Sequence, residues 1–150
     1  MNYAKKIFIR SLVSLFCVLS LVSCATVAKS EKAQAGSDSM AENKYTLVAD
    51  ALNEQCPLEI DQITSLDSVK FNEAENTMYY IYSLKGVTKK NVAEQQRLFL
   101  QNTQKEIWVQ QLKKNPAIDI MREDKLNLVS IYKDINGEAF FEIKLKAGEY

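Results

Sequence analysis

Alternation of apolar and polar side chains is clearest in the last third of the chain. Residues 126–133 and 139–145 alternate on both sides of the tetrapeptide Asp-Ile-Asn-Gly at 134–137. An Asn-Gly pair between alternating segments predicts a tight β-hairpin, because both residues accept a positive φ. Residues 65–71 and 77–84 alternate around a short polar stretch, which predicts a second hairpin.

Helical periodicity precedes each predicted hairpin. Apolar residues recur at helical spacing from Tyr45 to Leu52, and Ser39 and Glu42 have the Ser-x-x-Glu spacing of a capping box. The first helix is therefore predicted over residues 40–53. The Cys-Pro pair that follows favours an extended backbone.

A second helix is predicted over residues 90–115, ended by Pro116. Its apolar residues fall on two sides, one with Val92, Phe99, Leu100 and Ile107, the other with Leu98, Trp108, Val109 and Leu112. Such a helix is deeply buried, is broken midway or contacts a partner. In the last case, Leu98, Trp108 and Leu112 are the predicted partner contact.

The predicted element order is α-β-β-α-β-β, with an irregular or extended entry before the first hairpin. Two helices and two hairpins favour the α+β class, with a four-stranded antiparallel sheet and both helices on one face. Residues 39–150 form a single domain in this interpretation. Residues 24–38 are rich in Ala, Ser and Lys, which is typical of a flexible tether.

Aromatic side chains on the predicted strands are candidates for a binding site. Those that point towards the helices form the core, but alternation places others on the opposite, uncovered face of the sheet. The residues predicted to form a binding surface there are Tyr79, Ile81, Tyr132 and Phe140. Tyrosine suits partly hydrated contacts with protein, peptide or glycan, so this surface indicates a binding function. The alternative is that these residues belong to the core.

The N-terminus has the pattern of an export signal. Lys5, Lys6 and Arg10 precede an uncharged apolar run over residues 11–23. This run is shorter than the roughly 20 apolar residues that cross a bilayer. A basic segment followed by a short apolar segment is instead typical of a signal peptide, predicted here over residues 1–23.

The apolar run ends in Leu21, Val22, Ser23 and Cys24, a sequence that resembles the lipobox of bacterial lipoproteins. The resemblance implies cleavage after Ser23, a diacylglyceride on the thiol of Cys24 and a fatty acid such as palmitate on its amine. Several acyl chains hold a protein persistently at a membrane. Ala25 in the next position implies the outer membrane, with the domain facing the periplasm or the cell surface. A plain signal peptide with an incidental cysteine is the alternative.

Removal of the signal changes the charge balance. The full chain has 19 basic and 19 acidic residues, and the signal contains three basic residues and no acidic one, so the mature chain has a net charge near −3. This balance gives no electrostatic basis for binding nucleic acid.

The sequence contains few residues suited to catalysis. It has no histidine, which excludes histidine-based triads and histidine-ligated metals. Cys56 is the one thiol left once Cys17 is removed with the signal and Cys24 is lipidated. We interpret Cys56 as a small buried hydrophobe, with a reactive thiol or an intermolecular bridge as the alternatives. No cofactor and no metal site are predicted.

Carboxylates are the remaining candidates for chemistry. Asp61 with Asp67, or Glu73 with Glu75, could form an acid/base pair or bind calcium. Their spacing lacks the ligand density and the glycine of a calcium loop, and it does not place them across a cleft. They are interpreted as solvated loop charges, so no enzymatic activity is predicted.

A second resemblance concerns the segment Ala-Leu-Asn-Glu-Gln-Cys-Pro at 51–57 and the Tyr-Tyr-Ile-Tyr sequence at 79–82. Together they resemble small exported proteins of gut commensal bacteria that have Asn-x-Gln-Cys-Pro before a β-hairpin. This resemblance implies no activity and no site residue.

These features predict a lipid-anchored envelope protein that acts as a non-enzymatic binding or interaction module. The expected partner is an envelope protein or a glycan, in addition to the membrane that holds the lipid. Two alternatives stay open. One is a self-associating structural protein, a homo-oligomer, and the other is an envelope enzyme that uses carboxylates alone.

Overall fold

The computed structural model describes residues 43–150. The predicted signal, the lipidation site Cys24, the tether and the capping box at Ser39 and Glu42 lie outside the described residues. The elements are α1 (Lys44–Asn53), β1 (Leu58–Glu59), β2 (Thr64–Asn72), β3 (Thr77–Leu84), α2 (Glu94–Lys114), α3 (Asp119–Glu123), β4 (Asn127–Lys133) and β5 (Ala139–Leu145). Short 3-10 helices, Lys89–Asn91 and Pro116–Ile118, flank α2.

The strands form one five-stranded sheet in the order β1-β2-β3-β4-β5. This confirms the α+β class and both hairpins, β2–β3 and β4–β5. The prediction of four strands in a wholly antiparallel sheet was wrong in two respects. The extended entry forms β1, which pairs with Ser65 and Leu66, and β3 runs parallel to β4. The β3–β4 connection contains α2 and α3, so it returns the chain to the end of the sheet from which β3 began.

One face of the sheet packs against the helices to form the core. Strand residues of one parity lie there, among them Val69, Met78, Tyr82, Leu128, Tyr132, Phe141, Ile143 and Leu145. The helices contribute Tyr45, Ala49 and Leu52 from α1 and Trp108 and Leu112 from α2. Two aromatic rings of β3, Tyr80 and Tyr82, meet the edge of the Trp108 ring at centroid distances of 6.4 and 6.3 Å.

Helix α1 begins later than the sequence predicts. Asn43 has an extended backbone, and its side chain accepts a hydrogen bond from the amide of Tyr45. Asparagine is a strong N-cap because its side-chain oxygen satisfies an amide that has no partner within the helix. The first residue of α1 is therefore Lys44.

Asn53 ends α1 and also completes the edge of β2. Strand β1 pairs only with Ser65 and Leu66, so it does not reach Val69. The Asn53 side-chain amide donates to the Val69 carbonyl and accepts from the Val69 amide, both at 2.7 Å. The side chain thus takes the place of a strand residue, which gives the asparagine of the Asn-x-Gln-Cys-Pro segment a structural role.

Asp134 organises the β4–β5 turn and the loop before α2. Its carboxylate accepts hydrogen bonds from the backbone amides of Lys89, Asn136 and Glu138. These bonds, with that from Lys89 the strongest influence, hold the pKa of Asp134 below its usual value of 3.8. The charged form is favoured because each amide donates to a negative oxygen.

We expect Asp134→Asn to lower the urea midpoint at pH 7, because its side-chain NH2 group would meet the Lys89 amide that now donates to Asp134. A carboxyl whose pKa is depressed in the folded state stabilises the fold above the unfolded pKa, and this contribution is lost as the pH falls through the folded pKa. The difference between the variant and the wild type should therefore shrink on going from pH 7 to pH 2. Urea titrations at both pH values measure it, and a constant difference would contradict the assignment.

Within residues 43–150, no helix combines the length and the apolar character that crossing a bilayer requires.

Candidate functional site

The face of the sheet opposite the helices contains an apolar strip. Strand register places Lys70, Tyr79, Val129 and Lys144 in one row across β2 to β5, and Ser68, Ile81, Ile131 and Glu142 in the next row. We call these eight residues the open face. None of them belongs to the core cluster that contains the helical residues. Their four apolar side chains adjoin one another on the central strands β3 and β4.

The apolar strip is partly accessible and its flanks are polar. Tyr79, Ile81 and Ile131 are half-buried, whereas neighbouring side chains reduce the exposure of Val129 to 6%. On β5, Lys144 and Glu142 form an ion pair at 3.1 Å. Charged side chains on outer strands discourage uncontrolled pairing of sheet edges. The site is therefore a patch of apolar surface framed by charges rather than an enclosed cavity.

Tyr79 presents its ring rather than a reactive hydroxyl. The hydroxyl donates a hydrogen bond to the Glu75 carboxylate. This bond is the main reason that the pKa of Tyr79 is raised, since ionisation would place two negative groups side by side. The tyrosine is thus neutral at physiological pH and suited to contact, not to proton transfer.

Of the predicted binding residues, Tyr79 and Ile81 lie on the open face, but Tyr132 and Phe140 do not. Tyr132 points towards the helices and stacks on Tyr82 with ring centroids 4.8 Å apart. The polar Ser130 lies on the same inward side and is fully buried. A polar residue on the core side of β4 made it difficult to tell from the sequence which alternate residues point inward. Phe140 is 4% exposed because a register irregularity in the β4–β5 pairing breaks the alternation beside it.

The predicted partner contact on α2 is also wrong for two of its three residues. Trp108 and Leu112 are 8% and 6% exposed and belong to the core, so they are not available to a partner of the folded domain. Leu98 is 49% exposed and lies beside the groove between α2 and β5. The apolar residues of α2 thus comprise a buried set, which includes Trp108 and Leu112, and exposed residues such as Leu98 and Phe99.

Sequence reasoning missed Val129 and Ile131 as site residues. Alternation in residues 127–133 allows either face to be inward, and the more aromatic parity, which contains Tyr132, was assigned outward. The register of β4 against β3 resolves this choice, because it aligns Val129 with Tyr79 and Ile131 with Ile81. That register depends on the parallel pairing of β3 with β4. The turn and alternation patterns that predict hairpins give no information about parallel pairing.

The carboxylates that were considered for chemistry have local hydrogen-bonding roles. Asp61 accepts from the amides of Ile63 and Thr64, and Glu73 accepts from the Asn43 side chain. Asp67 accepts from the hydroxyls of two serines, Ser65 and Ser83. Among residues 43–150, no group of three or more potential ligands is placed to hold a metal ion.

Cys56 is a free thiol and is only partly buried. Burial is the main cause that raises the pKa of its thiol, and the nearby charge of Asp67 adds to the effect. Because the thiolate is the reactive form, a raised pKa makes Cys56 a poor nucleophile near neutral pH.

Within residues 43–150, the fold is an α+β domain in which the described helices cover one face of the sheet and not the other. The chain belongs to the family described as a domain of unknown function, DUF8479, whose model matches residues 39–141. It is similar in structure to a candidate secreted protein from Pseudomonas aeruginosa, with a TM-score of 0.55 and 8% sequence identity over 75% of this chain and 98% of that one. At this identity the similarity shows a shared fold alone. No curated protein matches the chain significantly.

Proposed function

We propose that this chain is a lipoprotein of the bacterial cell envelope and acts as a non-enzymatic binding module. Its lipid anchor at Cys24 holds it at the outer membrane, and its domain binds an envelope protein or glycan through the open face. The observation that carries the proposal is that Tyr79, Ile81 and Ile131, all partly accessible, adjoin one another on the side of the sheet away from the core. Contiguous apolar surface of this kind is typical of interaction sites.

Further support comes from the sequence. The Leu-Val-Ser-Cys motif at 21–24 follows a basic and then an apolar segment, the arrangement of an exported lipoprotein. The Pseudomonas aeruginosa neighbour, described as a candidate secreted protein, fits the same location outside the cytoplasm. The non-enzymatic interpretation is supported by the lack of histidine in the sequence and by the local roles of the carboxylates.

Cys24→Ser tests the anchor. In a Gram-negative host, the wild-type chain should fractionate with the outer membrane, and its N-terminal peptide should have the added mass of a diacylglyceride and a fatty acid. The variant should lack that mass and should be lost from the outer-membrane fraction, because it has no acyl chain to hold it there. Cys17→Ser is the matched control and should behave as wild type. An unmodified Cys24 in the wild type would refute lipidation.

A photo-reactive amino acid in place of Ile131 tests binding. Irradiated cells should give one defined adduct, because Ile131 is a partly accessible residue of the apolar strip. The same residue in place of Lys113, an exposed position on α2, is the control and should give no such adduct. Equal adducts from both positions, or none from position 131, would refute the open face as the binding site.

A further inference from the structure

The charges of the open face are arranged so that the face is complementary to a second copy of itself. Its first row reads Lys70, Tyr79, Val129, Lys144 and its second row reads Ser68, Ile81, Ile131, Glu142, in the order of the strands β2 to β5. In a symmetric dimer, the same patch must meet itself through a two-fold axis. An axis in the interface plane aligns the rows of the two copies when it is perpendicular or parallel to the strands, and the charges distinguish these two orientations.

In the first orientation the axis lies in the interface, perpendicular to the strands and between the two rows. Each strand then faces the same strand of the second copy, with the first row over the second. Lys144 meets Glu142 of the second copy, and this contact occurs twice. On the central strands, the accessible side chains of Tyr79 and Ile81 meet each other, and Ile131 lies over Val129, which at 6% exposure adds little contact area.

The polar side of β2 fits the same arrangement. Lys70 meets Ser68 of the second copy, next to the carboxylate of Asp67. Asp67 lies at the irregularity of the β2–β3 pairing. The serines that donate to it, Ser65 and Ser83, pair with each other in the row that follows the open face along the strands. Both flanks of the apolar strip thus combine a lysine with a carboxylate.

In the second orientation the axis runs parallel to the strands. The first row then lies over the first row of the second copy, with β2 opposite β5 and β3 opposite β4. Lys70 would face Lys144 at both flanks. Like charges placed directly opposite each other oppose association. The charges therefore select the perpendicular axis.

We infer that the open face is a homodimer interface in which two sheets pack face to face, with the strands of the two copies antiparallel. This inference rests on the proposed binding function of the open face and names its partner, a second copy of this chain. Packed sheets lie about 10 Å apart with strands inclined by about 30°, an offset that the long lysine side chains accommodate.

The size of the interface predicts a reversible dimer. The two rows of the open face and one flanking row on each side (Asn72, Thr77 and Asn127 on one, Ser65, Ser83 and Lys133 on the other) cover roughly 20 Å by 25 Å, so two copies bury on the order of 1,000 Å². Specific interfaces usually bury about 1,200–2,000 Å², and those at or below the lower end tend to be weak or transient. We expect a dissociation constant in roughly the micromolar range.

Exchanging the charges at positions 142 and 144 tests the inference. The protein is the mature chain with Cys24 replaced by serine, and analytical sedimentation measures its monomer–dimer equilibrium. Glu142→Lys alone makes two lysines face each other across the interface, and Lys144→Glu alone makes two glutamates do so. Each single variant should weaken dimerisation by at least about tenfold, since the contact occurs twice. The double variant should recover it. An equimolar mixture of the two single variants should also associate, because every contact between them joins a lysine to a glutamate.

Folding controls keep the test decisive. The Lys144–Glu142 pair within one chain is solvent-exposed and contributes little to stability, so both single variants should melt close to the wild type. Lys113→Glu on α2 should leave dimerisation unchanged. If the wild-type chain is still monomeric at a protein concentration 100 times the expected dissociation constant, the dimer is refuted. If position 131 then gives an adduct with a different protein, the binding function stands. If the photo-reactive residue at position 131 gives no adduct, the dimer and the binding function of the open face are both refuted.

Discussion

Replacing Trp108 with alanine should lower the free energy of unfolding by about 3–5 kcal/mol, the range for removing a large aromatic side chain from a core. Trp108 is 8% exposed and packs edge-on against the rings of Tyr80 and Tyr82. Its loss opens a cavity between α2 and β3 and removes two aromatic contacts. Thermal unfolding followed by circular dichroism should show a melting temperature lower by more than about 10 °C.

Two further variants make this result interpretable. Trp108→Phe keeps a ring facing β3, so we expect it to lose less stability than the alanine variant. It should therefore remain folded even if the alanine variant does not. Leu98→Ala removes a side chain that is 49% exposed on the same helix and should cost less than about 1 kcal/mol. If Trp108→Ala were as stable as Leu98→Ala, the packing of α2 described above would be wrong.

Replacing Asn53 with alanine should destabilise the domain by about 2–4 kcal/mol, because it leaves the amide and the carbonyl of Val69 without partners. Val69 is fully buried, and the two hydrogen bonds from Asn53 are both 2.7 Å long. The effect should appear as a lower urea midpoint. Hydrogen exchange at the Val69 amide should accelerate more than at amides of β4.

Asn53→Asp separates the two hydrogen bonds. Aspartate keeps an acceptor for the Val69 amide but turns a second oxygen towards the Val69 carbonyl. A protonated carboxyl can donate to that carbonyl, so the aspartate variant should gain stability relative to the alanine variant as the pH falls from 7 to 4. Gln55→Ala, which removes an exposed side chain, should change stability by less than about 0.5 kcal/mol. An Asn53→Ala variant as stable as Gln55→Ala would contradict the edge-completing role.

Local signals in the sequence predicted the local parts of this fold. The Asn-Gly turn and the alternation beside it located the hairpin of β4 and β5 to within a residue or two. The Pro116 boundary placed the end of the second helix at residue 115, and α2 ends one residue earlier, at Lys114. Each of these features is determined by residues close together in the chain, where turn geometry and helix capping act.

Features that depend on distant residues could not be predicted in the same way. The parallel register of β3 and β4 joins residues such as Tyr79 and Val129, which are 50 positions apart. Without that register, Tyr132 and Phe140 were assigned to the surface and Ile131 was not considered. The asparagine at 53 was noticed only as part of a resemblance, because its partner Val69 is on a separate element.

The parallel pairing at the centre of the sheet also has a consequence for how quickly the chain reaches its native state. Each hairpin closes a short loop, whereas joining β3 to β4 must first order the whole connection through α2. The entropy lost in closing that long connection makes the central pairing the slow, late event. We expect substitutions in the turn at 134–137, in a hairpin that forms before that event, to alter mainly the refolding rate, and substitutions where α2 meets β3, a contact completed with that event, to alter the unfolding rate as well.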